Sequence, residues 1–85
     1  MKLVFTDSAW SDYLWFLEKQ PQLLKRINEL LKDCKRNPFS GIGKPEPLKG
    51  RLRGCWSRRI TGEHRLVYKP ETDSLIIISC RFHYA

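Results

Sequence analysis

A chain of 85 residues with 41% hydrophobic and 29% charged side chains is expected to form a single domain, residues 1–85, with one core and little room for a deep substrate cavity. The net charge is +7, and residues 38–69 hold eight of the 16 Lys/Arg but only two of the nine Asp/Glu. That local excess attracts polyanions, which favours nucleic acid or the ribosome as a partner over a merely soluble basic surface. Lys2, Leu3, Val4 and Phe5 form a short apolar run suited to a strand, and Thr6, Asp7 or Ser8 then caps a helix reaching about Lys19. In that helix Trp10, Tyr13, Leu14 and Leu17 recur at helical spacing and are read as its buried stripe. Pro21 suits the first turn of a second helix, where Leu23, Leu24, Ile27, Leu30, Leu31 and Cys34 line one face. Lys35 and Arg36 favour the negative end of its dipole, and Asn37-Pro38 stops it.

Residues 39–49 read as a long loop containing GIGKPEP, a length that usually signals function in so small a domain. Short strands follow at 50–53, 56–60 and 64–69, and a long one at 74–84, joined by tight turns that imply antiparallel pairing. The expected fold class is α+β: strand, two helices, then four strands, with both helices on one face of a mainly antiparallel, twisted sheet of about five strands. The other face is expected to stay open. Cys34, Cys55 and Cys80 are odd in number and lack C-x-x-C spacing, which argues against a disulfide framework or a zinc site. The N-terminal apolar run is too short for a secretory leader and no segment is long enough to span a membrane, so a cytoplasmic location is expected.

An open sheet face should carry polar side chains at alternate positions, and here they are mostly basic. Ser57 and Arg59 share a face on one strand, and Arg65 and Lys69 on the next. A turn centred on Gly62 sets Arg59 nearly opposite Arg65. Like charges so paired destabilise a sheet unless an anion lies between them, which leaves two readings: a phosphate site, or guanidiniums that splay into water. Glu46 stands between Pro45 and Pro47 and, like Lys44, precedes a proline, which favours extended backbone at both. A stiff segment of this kind holds a carboxylate in one place, as a general base requires, while a solvated loop glutamate fits the same residues. His83 and Tyr84 end the last strand, where they either seal the sheet edge as an aromatic pair or serve chemistry. A histidine can exchange protons near neutral pH, and a tyrosine can stack on a base or bind phosphate. His64, beside a turn, is read as structural. RNA carries its own nucleophile, the 2′-OH. Cutting it needs a base, cations at the phosphate and an acid for the 5′ oxygen, which Glu46, the arginines and His83 supply without a metal or cofactor.

These residues sit in strings that resemble the YoeB toxins of the RelE-like superfamily: INELLKDCKRNPFSGIGKPEPLKG, then GCWSRRITGEHRLVY, then a terminal HY. The resemblance spans nearly the whole chain. It implies the toxin of a type II toxin–antitoxin module, a ribosome-dependent endoribonuclease that cuts mRNA in the A site of the 70S ribosome and so stops translation. It implies a YefM-like antitoxin, operator DNA bound only through that antitoxin, and a tendency to homodimers. By residue, it implies Glu46 as general base, Arg65 as phosphate stabiliser, His83 as general acid and Tyr84 as a substrate-positioning group. Lys49 and Arg59 match basic residues near that site. Arg51 and Arg53 make the following stretch more basic than is usual in the family, which favours rRNA contacts. The alternative is a non-catalytic inhibitor that only grips the ribosome or RNA.

Overall fold

Thr6 joins the first strand to the first helix. Its backbone is extended, and its hydroxyl accepts the Ala9 N–H at 3.0 Å while donating to the Ile78 carbonyl at 3.1 Å. One side chain therefore caps α1 and ties it to the sheet. In the computed structural model, which describes residues 1–82, the elements run β1 (Lys2–Phe5), α1 (Asp7–Lys19), α2 (Leu24–Arg36), β2 (Glu46–Pro47), β3 (Trp56–Arg59), β4 (Arg65–Pro70) and β5 (Ser74–Ser79). One-turn 3-10 helices stand at Pro21–Leu23 and Gly50–Leu52. No described helix is long and apolar enough to cross a membrane.

The five strands form one sheet in the order β1-β5-β4-β3-β2. Three of the pairings are antiparallel, as the hairpins predict, and β1 runs parallel to β5. A parallel pair needs a long connection, and everything between the two strands supplies it. Both helices cover one face, giving the expected α+β arrangement. From α2 come Ile27, Leu30, Leu31 and Cys34, the predicted stripe, packed with Leu66 and Tyr68 of β4 and Leu75 and Ile77 of β5.

Helix α1 departs from expectation. It buries Ala9 and Phe16 and leaves Trp10, Leu14 and Leu17 at 50%, 42% and 54% exposure. Residues 13–17 are apolar nearly all round, so spacing alone fits two stripes. The small Ala9 decides between them, because it lets the helix approach the end of β5 until the Cys80 thiol reaches the Ala9 carbonyl at 3.8 Å.

Residues 50–53 are not a strand. Gly50 and Gly54 adopt φ of +67° and +94°, open to glycine, and the chain between them turns so that Leu52 packs on Leu48, Cys55 and Val67. The face expected to stay open is thus partly covered by this small second cluster. Nor is 39–49 loop throughout: Glu46 and Pro47 pair with Ser57 and Trp56 as an edge strand, where proline's missing N–H is tolerated. The last strand stops at Ser79, short of the predicted 84. Beyond it, side chains capture the backbone: the Cys80 N–H goes to the Asp12 carboxylate at 3.1 Å and the Phe82 N–H to His64 Nδ1 at 2.8 Å.

Candidate active site

The long 37–43 loop that leads to Glu46 is held from inside. Arg58 points to the helix side of β3 and is wholly buried. Its Nε donates to the Tyr68 hydroxyl at 3.0 Å, and Nη1 to the Asp33 carboxylate at 2.5 Å and the Ile42 carbonyl at 3.0 Å. Nη2 donates to the carbonyls of Asn37 at 2.6 Å and Ser40 at 3.0 Å. The Tyr68 hydroxyl donates onward to the Pro38 carbonyl at 2.7 Å, and the Asp33 carboxylate also accepts the Ile42 N–H at 2.9 Å. A buried guanidinium is tolerable only when its charge and donors are matched, and here they are. Hydrogen bonds from Arg36 and Arg58 and from the Ile42 amide hold the Asp33 carboxyl well below the usual carboxylate range. Burial raises the Tyr68 hydroxyl to about 12 and the Cys34 thiol to about 11, so both stay protonated at neutral pH. Gly41 is needed for this closeness, since a Cβ there would overlap the Asp33 carboxylate.

The loop then turns sharply. Gly43 has φ +82° and its carbonyl accepts the Arg59 N–H at 2.7 Å. Lys44 has φ +53°, in the left-handed region and not the extended one that a following proline favours. The turn bringing the chain alongside β3 over-rides that local preference. Glu46 is extended in β2, as expected, opposite Ser57.

On the face away from the helices, Arg59 pairs directly with Arg65 across β3 and β4, the juxtaposition the sequence suggested. Lys44, Glu46, Ser57, Arg59 and Arg65 line one small pocket of about 60 Å³. Arg65 is half-buried and tethered, its Nη1 donating to the Thr61 carbonyl at 2.8 Å. Arg59 is exposed, and among the described residues neither guanidinium has an ion-pair partner. A neighbouring groove of about 480 Å³ runs from Glu46 along Lys49 and Arg51 to Leu52. Arg53 is exposed beside it and lines neither. His83 and Tyr84 lie outside the described residues. Phe82 directly precedes them, and its carbonyl accepts the Arg65 N–H at 3.0 Å. The pocket therefore offers a carboxylate and two guanidiniums, chemistry suited to a phosphate flanked by a hydroxyl.

Several contributors escaped the sequence reading. Lys44 joins the pocket from a position read only as stiff loop. Arg58 and its partners were missed, although strand alternation sets Arg58 opposite in direction to Arg59, and an inward arginine demands a carboxylate. Cys55, read as a turn residue, is buried in the second cluster.

Two helices on one face of this mainly antiparallel sheet, with a basic pocket on the other, make the chain a RelE/YoeB-like fold. A solved structure described as a YoeB/ParE toxin from Agrobacterium tumefaciens superposes with a TM-score of 0.93 at 51% identity, covering 99% of this chain and 100% of that one. A Staphylococcus aureus YoeB, solved as a dimer, gives a TM-score of 0.91 at 46% identity over 99% and 98% of the two chains. The same toxin in a heterotetrameric complex with YefM gives 0.89 at the same identity and coverage. Toxin YoeB from Synechocystis is 62% identical over 99% of this chain and 98% of its own length. The model of the YoeB-like toxin family of bacterial type II toxin–antitoxin systems matches residues 5–84, and the chain belongs to that family.

Proposed function

We propose that this toxin is a metal-independent endoribonuclease that enters the A site of the 70S ribosome, cuts the bound mRNA and so inhibits translation. The observation that carries the reading is the convergence of Glu46, Arg59 and Arg65 on one pocket, with the Arg65 amide bonded to the Phe82 carbonyl. Glu46 takes the proton from the 2′-OH as that oxygen attacks the adjacent phosphorus. Arg65, with Arg59, stabilises the charge that develops on the phosphate oxygens. The bond to the 5′ oxygen breaks as His83 protonates it, leaving a cyclic phosphate and a free 5′-OH. Tyr84 positions the substrate. Lys49, Arg51 and Arg53 carry mRNA or rRNA along the basic flank of the groove.

The whole chain, 1–85, acts as one unit in the cytoplasm. A YefM-like antitoxin holds it inactive, and operator DNA is reached only through that antitoxin; a charge of +7 favours an acidic, partly disordered partner. The S. aureus complex with YefM and its dimer support an antitoxin of that kind and a homodimer.

The test combines programmed ribosomes with wild type, Glu46→Ala and His83→Ala. Wild type should cut the message and both variants should fail. A wild type that arrests translation while the message stays whole would leave only a non-catalytic inhibitor. Variants that cut as well as wild type would overturn the residue roles.

A further inference from the structure

His64 is 1% exposed and lines no part of the pocket. Its ring lies among aromatics: Phe16 meets it edge-on with centroids 5.0 Å apart, Phe82 at 5.5 Å and Trp15 at 6.0 Å. Packing alone would suit phenylalanine better, because a buried imidazole is unfavourable unless its nitrogens find partners. One nitrogen does. Nδ1 accepts the backbone N–H of Phe82 at 2.8 Å. That makes Nδ1 the acceptor and leaves the proton on Nε2, which lies 3.4 Å from the Glu63 carboxylate but makes no hydrogen bond among the described residues.

Phe82 is unusual in its own right. Its φ of +60° lies in the left-handed region, which a bulky side chain disfavours. Such a conformation persists where surrounding contacts over-determine it, and clusters at functional sites. Burial of the Phe82 ring does not hold it, since the residue is 49% exposed. Its backbone is held at both ends: the N–H by His64, the C=O by the Arg65 amide at 3.0 Å. The preceding residues are fixed separately, by the Cys80 N–H on Asp12 and by Arg81, whose guanidinium stacks 3.8 Å from the Trp15 ring and 4.5 Å from that of Phe82.

We infer that His64 is a positioning residue of the active site: its Nδ1 holds Phe82 in the left-handed turn, so that the chain enters His83 and Tyr84 from a carbonyl fixed on Arg65. The inference rests on the nuclease reading, in which Arg65 and His83 act on one phosphate. Arg65 belongs to β4 and His83 to the tail, so a fixed link is needed to keep them in register. Loosening the link lowers the fraction of bound complexes in reactive geometry, while affinity still rests on the basic face. The loss should fall on kcat and spare KM.

Two variants separate the acceptor from the ring. His64→Phe keeps the aromatic contacts and removes the acceptor. His64→Asn loses the ring but sets Oδ1 where Nδ1 was. In multiple-turnover cutting of ribosome-bound mRNA, His64→Phe should keep KM within about twofold and lose about tenfold or more in kcat. Its Phe82 amide should exchange with solvent faster than in wild type. His64→Asn should retain protection of that amide and more of kcat than His64→Phe. The inference is overturned if His64→Phe cuts at the wild-type rate, or if His64→Asn loses as much kcat as His64→Phe. A wild type that cuts nothing overturns the nuclease reading and the catalytic half of this inference, while exchange at the Phe82 amide still upholds or overturns the anchor.

Discussion

Arg58 and Arg59 are neighbours on β3 and point to opposite faces of the sheet. Arg58 is wholly buried, and its donors meet a carboxylate, a hydroxyl and three loop carbonyls. Arg59 is exposed beside Arg65, and among the described residues neither has an ion-pair partner. One guanidinium is consumed in shaping the loop that leads to Glu46; the other is left for a ligand. Stability and function thus draw on the same side chain one residue apart, and strand alternation sorts them. Buried Arg58 should matter to folding, and the Arg59–Arg65 pair to RNA.

The largest effect expected from this contrast is at Arg58. Arg58→Ala removes one partner of the Asp33 carboxylate and leaves three loop carbonyls and the Tyr68 hydroxyl without their donor, and should cost about 3–5 kcal/mol in urea unfolding. Arg58→Lys should not restore it, because one ammonium cannot replace the fork. A loss under about 1 kcal/mol in either variant would mean that the loop holds itself. Next comes Arg65→Ala, which should reduce cleavage by on the order of 10²–10³ while weakening RNA affinity only modestly. Equal losses of affinity and rate would show that Arg65 only binds.

Asp33 gives the buried side a pH signature. Its carboxyl is held below its ordinary pKa of 3.8, so its contribution is full above that value and is lost as pH falls through it toward the lower folded value. Wild type should therefore lose stability steeply below about pH 4, whereas Asp33→Asn should be less stable at pH 7 and flatter in acid. Thermal melts at stepped pH would expose the error if both fall alike. The smallest effect is at Arg59. Arg59→Ala should leave the melting temperature nearly unchanged and lower the salt slope of RNA binding by about 0.7. An unchanged slope would remove Arg59 from the phosphate contacts.

How much of this was legible beforehand varied by element. The stripe on α2 was legible because its polar and apolar positions separate cleanly, so one face alone could be buried. Helix α1 was not, because residues 13–17 are apolar on every side, and only the close approach permitted by Ala9 chose Ala9 and Phe16 over Trp10, Leu14 and Leu17. The Arg59–Arg65 pair was legible because a two-strand hairpin with a short turn fixes cross-strand neighbours locally. The turn at 50–53 and the early end of β5 were misread as strand, since both depend on which distant groups compete for the backbone: Leu52 finding a second cluster, and Asp12 and His64 capturing the amides of Cys80 and Phe82.

For the basic pocket of Glu46, Arg59 and Arg65, the sequence by itself determined the charge, the strand alternation and, through resemblance, the toxin family. These are local or compositional quantities that survive without a fold. Only the tertiary structure decided that Arg58 holds the loop, that Lys44 joins the pocket from a left-handed turn, and that His64 grips the last described residue. Each joins groups far apart along the chain, and such contacts exist only once the core has closed and made unpaired buried polar groups costly.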